Sequence, residues 1–225
     1  NTTILDVIKE GNRVAGVVVL SEMEQMEIRA NVVVDCSGDA VVAAKAGAPY
    51  EIRPKKEIQP MTLMGKMAGI NMEKLKKYYQ DNPPVHDAAV PPAWHDFKTF
   101  PGFMHFGLSD ELEKVTLPPR LEYLRNWLAI FTSTPNPGEL MINCSGAIES
   151  HSIAGFEERA DQEVVSQKCL YDVAEALRMF VPGFENAYLS SIASLLGIRE
   201  SRRIIGDYKV TLEDFLAARD FEDSI

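Results

Sequence analysis

Apolar and polar positions alternate from the start of the chain. In residues 3–9, Ile4, Val7 and Ile8 are apolar, interspersed with Thr3, Asp6 and Lys9, a pattern that predicts a β-strand. Glu10-Gly11-Asn12-Arg13 follows, and glycine beside asparagine supplies the positive φ angles of a tight hairpin turn. Residues 14–20 read as the returning strand and residues 26–30 as a third. Val32, Val33 and Val34 then run apolar without alternation, which predicts a strand covered on both faces, as in a parallel sheet. That run ends at Asp35-Cys36-Ser37-Gly38-Asp39. Residues 40–46 have helix composition, stopped by Gly47 and Pro49.

Farther on, residues 62–67 read as a strand, and Asn71 caps a short helix over residues 72–80. Residues 81–102 hold Pro83, Pro84, Pro91, Pro92 and Pro101, a long loop that is either a lid or plain surface. Two strands, 127–132 and 139–143, flank Pro135-Asn136-Pro137-Gly138. The strongest helical signal lies over residues 153–181. There Phe156, Ala160, Val164, Tyr171, Ala174, Leu177 and Val181 recur at spacings of three, four or seven, predicting one long amphipathic helix ended by Pro182-Gly183. Residues 187–198 read as strand, followed by the charged run Arg199-Glu200-Ser201-Arg202-Arg203. Thr211 caps a last helix with Glu213 and Asp214 in its first turn. The expected fold class is α+β, β-rich with one long helix.

Composition narrows the function. The chain has 225 residues, 46% hydrophobic and 25% charged, an ordinary globular mixture for one or two domains. Its 33 acidic and 23 basic side chains give a net charge of −10. That balance argues against nucleic acid and against an anionic membrane surface as partners, since both recruit basic residues. No apolar stretch approaches the ~18 residues of a membrane span. Three cysteines, Cys36, Cys144 and Cys169, lie far apart with no C-x-x-C, which fits a reducing, cytoplasmic setting. The chain begins at Asn1 without a basic-then-apolar leader and stops at Ile225, so we expect a segment of a longer protein, whose true start could carry a leader.

Two places could carry chemistry. The turn Asp35-Cys36-Ser37-Gly38-Asp39 joins a strand to a helix start, where free N–H groups and a glycine can receive an anion; such turns also simply connect elements. The run Gly197-Ile198-Arg199-Glu200-Ser201-Arg202-Arg203 sets three guanidiniums and a carboxylate at an expected strand end. A guanidinium fork holds a carboxylate or stabilises developing negative charge, and the same run can be a surface ion-pair cluster. His86, His95, His105 and His151 have no metal-ligand spacing, so no metal site is expected. His151, between a strand and the long helix, is a candidate proton-transfer group. No Cys-His signature surrounds a thiol, and no Gly-rich phosphate loop of the dinucleotide or P-loop kind occurs in the chain.

Two stretches resemble a known family. Residues 32–49, VVVDCSGDAVVAAKAGAP, resemble the "(I/V)DATGDGDVAxxAGAP" segment of FAD-dependent oxidoreductases of the two-domain, glutathione-reductase-like group. Residues 197–208, GIRESRRIIGDY, resemble the "GxRESRRIxGdY" signature of a bacterial branch of those flavoproteins. Cys36-Ser37 stands where Ala-Thr is commoner. The resemblance implies a split FAD-binding domain, with residues 1–48 as its β-meander and strand-turn-helix, 49–206 as a substrate domain, and 207–225 as the return segment. It implies FAD as cofactor, with Asp35, Ser37, Gly38 and Asp39 beside it. A small-molecule substrate would meet Arg199, oriented by Glu200, Ser201 and Arg202, with His151 moving a proton. The remainder of the FAD-binding domain would be the structural partner. The expected activity is hydride or electron transfer between an organic substrate and FAD. The rivals are a non-catalytic binding module of the same fold and an assembly role for the long helix.

Overall fold

The structure, a computed structural model, describes residues 2–54, 57–82, 104–125, 129–145 and 156–222. The chain divides into two compact units, residues 1–53 with 200–225, and residues 54–199. Helices and antiparallel sheets make up both, so the class is α+β.

In the first unit, β1 (Thr2–Glu10), β2 (Arg13–Ser21) and β3 (Glu24–Arg29) form an antiparallel sheet in chain order. The Gly-Asn turn closes the β1–β2 hairpin as expected, with Gly11 at φ +62°. Gly16 permits the close approach of β2 and β3: a Cβ there would sit 2.2 Å from the Ile28 carbonyl oxygen. The helix α1 (Val41–Ala46) ends at Gly47, whose φ of +95° lets its N–H reach the carbonyls of Ala43 and Ala44. Lys9 Nζ donates to the Ala46 carbonyl at 2.6 Å and ties α1 to β1. The two-residue strands β4 (Tyr50–Glu51) and β10 (Arg203–Ile204) pair antiparallel. Residues 49–53 and 200–206 therefore belong to this compact unit. A last helix, α5 (Leu212–Leu216), is capped by Thr211, whose side chain accepts from the Asp214 N–H.

The strand expected at residues 32–34 is not formed. Val32 and Val34 are 77% and 76% exposed, and residues 31–40 carry no strand. A strand that is apolar on both faces needs hydrogen-bonded neighbours to bury it, and none of the described strands pairs with it.

The second unit is built on a five-stranded antiparallel sheet in the order β6-β7-β8-β5-β9, numbered along the chain as β5 (Thr62–Ala68), β6 (Met104–Gly107), β7 (Ala129–Ser133), β8 (Leu140–Ser145) and β9 (Tyr188–Ile192). The strand at β6 and the short helix α3 (Ser109–Glu113) have no counterpart in the sequence reading. Asn71 caps α2 (Met72–Asp81) as expected, its side chain accepting from the Lys74 N–H. The long helix α4 is described over Phe156–Phe180. Leu63, Met67, Phe131, Leu140 and Ile142 from one sheet face join Leu170, Val173 and Leu177 of α4 and Leu75 of α2 in one buried apolar cluster. Each such side chain contributes roughly 1.5–3 kcal/mol relative to exposure. Gly65 admits α4, since a Cβ there would meet Leu170 at 3.3 Å.

The expected face of α4 is buried at Ala174, Leu177 and, just past the helix end, Val181, but not nearer its start. Ser166, Cys169, Leu170, Val173 and Leu177 are buried, whereas Val164 and Tyr171 are exposed. Ser166 tolerates burial because its hydroxyl donates to the Gln162 carbonyl. The proline-rich residues 83–102 lie outside the described residues.

Candidate functional site

The turn after residue 34 is organised by its own side chains. Asp35 Oδ1 accepts from the Ser37 N–H and Oδ2 from the Ala43 N–H, both at 3.0 Å. Ser37 Oγ accepts from the N–H groups of Asp39 (3.3 Å) and Val41 (3.0 Å). Two of the α1 N-terminal donors are thus accepted within the turn itself. Burial raises the Asp35 carboxyl, but the N–H groups of Ala43 and Ser37 with the Ser37 hydroxyl outweigh it and hold the group below its ordinary value. Gly38 has φ +76° and nothing within 4 Å of where a Cβ would stand, so the tip of the turn is open to close approach.

The distant charged run reaches this turn. The Ser201 hydroxyl donates to Asp39 Oδ1 at 2.5 Å, across 162 residues of sequence. Arg202 Nη1 donates to the Asp39 carbonyl at 3.2 Å, and its guanidinium lies 5.6 Å from the centre of the Tyr50 ring. The Glu200 carboxylate, 13% exposed, forms ion pairs with Arg53 and Arg203. The structure therefore brings together Asp35, Ser37, Gly38, Asp39, Glu200, Ser201 and Arg202 in the first unit. Tyr50 and Arg53 complete that set and carry no mark in the sequence, because their partners lie some 150 residues away.

Arg199 stands apart. It is the last residue of the second unit and is exposed, and among the described residues no carboxylate pairs with it. Contrary to expectation, it does not follow a strand directly. β9 ends at Ile192, and Gly197 makes an isolated bridge to Thr62, exchanging N–H···O bonds of 3.1 and 2.8 Å. His151 lies outside the described residues. Cys36 is exposed, and Cys169 is buried, with desolvation pushing its thiol up to about 12, an unreactive state. Among the described residues no group of His, Cys, Asp and Glu is disposed to hold a metal ion, and no helix is long and apolar enough to cross a membrane.

An α+β protein with a glycine-tipped turn held by a returning segment is the class that fold and site define. The family model described as FAD dependent oxidoreductase matches residues 1–225, and the chain belongs to that family. No curated protein and no solved structure matches it.

Proposed function

We propose that this chain is an internal part of a flavoenzyme, in which residues 1–53 and 200–225 contribute to the FAD-binding domain and residues 54–199 are the substrate domain. The observation that carries this reading is the tie of Ser201 and Arg202 to Asp39, which joins the two stretches of family-like sequence at one open turn. The residues present fit part of a dinucleotide site. The open tip at Gly38 can lie against a ligand, whereas the Val41 and Ala43 N–H groups are already taken. The rest of such a site would come from the remainder of the FAD-binding domain. Exposed Val32, Val34, Leu212, Phe215 and Leu216 suit a surface that this remainder covers.

FAD, when bound, supplies the electron-pair chemistry between flavin and an organic substrate. Arg199 is assigned to negative charge that develops on substrate or cofactor, because among the described residues no carboxylate already uses its guanidinium. Glu200, Ser201 and Arg202 position the loop that carries it, and His151 is assigned to proton transfer.

The test is to express the polypeptide with its flanking coding sequence, reconstitute with FAD, and record visible flavin absorbance and its bleaching by substrate. Absence of any flavin spectrum would overturn the reading. Flavin that no reductant or substrate reduces would favour the binding-module rival. Arg199→Ala should cut flavin reduction by about 100-fold or more at unchanged melting temperature and flavin content, and Arg199→Lys should rescue only part.

A further inference from the structure

Alternation along the five-stranded sheet leaves its second face outside the apolar core. Directly opposed on that face are Met64 of β5, Asn143 of β8 and Ile130 of β7, and in the next row Lys66, Met141 and Thr132. All six are half-buried, and none belongs to the buried cluster that α2, α3 and α4 build with the other face. Two rows across three strands span about 10 by 7 Å, the footprint of one or two small rings.

The polar groups on this face are arranged unequally. Thr62, only 7% exposed, donates its hydroxyl to Asn143 Oδ1 at 2.7 Å. That bond fixes the amide so that both Nδ2 protons remain to be given, and among the described residues nothing accepts them. The Lys66 ammonium, in contrast, has the Glu139 carboxylate at 3.7 Å. Glu139 is in turn held by the Thr134 hydroxyl and the Asn136 amide, at 2.8 and 3.1 Å. Charge on the face is balanced, and among the described residues the uncommitted donors on it, the Asn143 amide and the Thr132 hydroxyl, are neutral; the amide is set among Met64, Met141 and Ile130. Methionine side chains adapt to flat apolar shapes.

Resting on the flavoenzyme reading above, we infer that this face is where the substrate lies, and that the substrate is a neutral, largely apolar molecule whose carbonyl oxygen accepts from Asn143 Nδ2. A donor that is half-buried and unfilled favours a ligand bearing an acceptor over its isostere without one.

The test uses ¹³C-methyl-methionine NMR of the protein with acetophenone as the probe and ethylbenzene as the analogue lacking the acceptor. The Met64 and Met141 methyls and the Asn143 side-chain amide should shift saturably with acetophenone, with ethylbenzene about tenfold weaker, the scale of one net hydrogen bond. Asn143→Leu should erase the preference between the probes. Thr62→Val, which frees the amide without removing it, should weaken acetophenone a few-fold and keeps the test alive if Asn143→Leu does not fold. Equal shifts at Met72 and Met179, which lie off this face, would overturn the inference. So would silence at Met64 and Met141, or a preference that survives Asn143→Leu. Because the readout needs no flavin, these failures are distinct from failure to bind FAD.

Discussion

Phe131 and Val34 are both apolar residues in stretches read as strand. Phe131 is fully buried, 5.7 Å from the Phe184 ring, in a cluster fed by a sheet and three helices. Val34 is 76% exposed and unpaired by any described strand. The contrast extends to the units that hold them. Residues 54–199 close around one large apolar core. The unit of 1–53 and 200–225 buries few large side chains and relies on polar ties: Lys9 to Ala46, Ser201 and Arg202 to Asp39, and the Tyr208 and Thr211 hydroxyls with Arg219 around Asp214. A unit with an apolar core resists loss of any one polar contact, and a unit held by polar ties does not.

The largest expected effect is in the core. Phe131→Ala should destabilise residues 54–199 by about 3–5 kcal/mol, measured by chemical denaturation, because the cavity lies in a closely packed cluster. Hydrogen exchange in β1–β3 should be unchanged. Equal loss of protection there would mean the two units unfold as one and would break the comparison.

Next comes Gly16→Ala. The added Cβ has backbone on its path, the Ile28 carbonyl at 2.2 Å, and backbone cannot rotate away as a side chain can. A cost of about 1–3 kcal/mol is expected, read as faster exchange of the β2 and β3 amides with the 54–199 core unaffected. Ser201→Ala is smaller, about 1 kcal/mol, and should appear as faster exchange over residues 200–206. If that segment keeps its protection, the Asp39 tie is not what holds it.

What the sequence made legible follows the same division. The β1–β2 hairpin, the Asn71 cap and the Thr211 cap were readable because each depends on residues within a few positions of one another. The strand at 32–34 was not, since strand formation depends on neighbours that local pattern does not reveal. The α4 face was legible at Ala174, Leu177 and Val181 but not in the first half of the helix, because apolar residues lie on both sides there and buried Ser166 hides its polarity in a bond to its own turn. Helix α3 follows Leu108 at φ +83°, a conformation that leucine does not advertise. Of the candidate site, the turn and the charged run were both visible. Their meeting through Asp39, and the Thr62–Asn143 pair, join residues 81 to 163 positions apart and had no local signal.

The subtlest way to separate the units is by pH. In the first unit, the Asp35 carboxyl is held low by N–H groups of Ala43 and Ser37 against the opposing effect of burial, and Asp214 is held low chiefly by the Tyr208 hydroxyl, then by the Thr211 N–H and Arg219. A carboxyl lowered by folding stabilises above its unfolded pKa, and that contribution is lost as pH falls through the folded value. In the second unit, Glu111 is 5% exposed, accepts the Leu108 N–H at 2.8 Å, and is pushed up chiefly by desolvation. Its contribution has the opposite sign: fully present below the ordinary carboxyl range, and lost as pH rises through the raised folded value. Glu139 and Glu185 are held low, as in the first unit, so Glu111 must be isolated by mutation. Glu111→Gln should leave the stability of residues 54–199 less dependent on pH on the alkaline side of the carboxyl range, by a slope below about 1.4 kcal/mol per pH unit, the limit for one proton. Asp35→Asn should flatten the acid side of the first unit's profile instead. Exchange-detected stability of each unit, followed from acid to neutral pH, reads both. Identical profiles for wild type and Glu111→Gln would show that the buried carboxyl ionises at no cost, and the electrostatic half of the contrast between the units would fall with it.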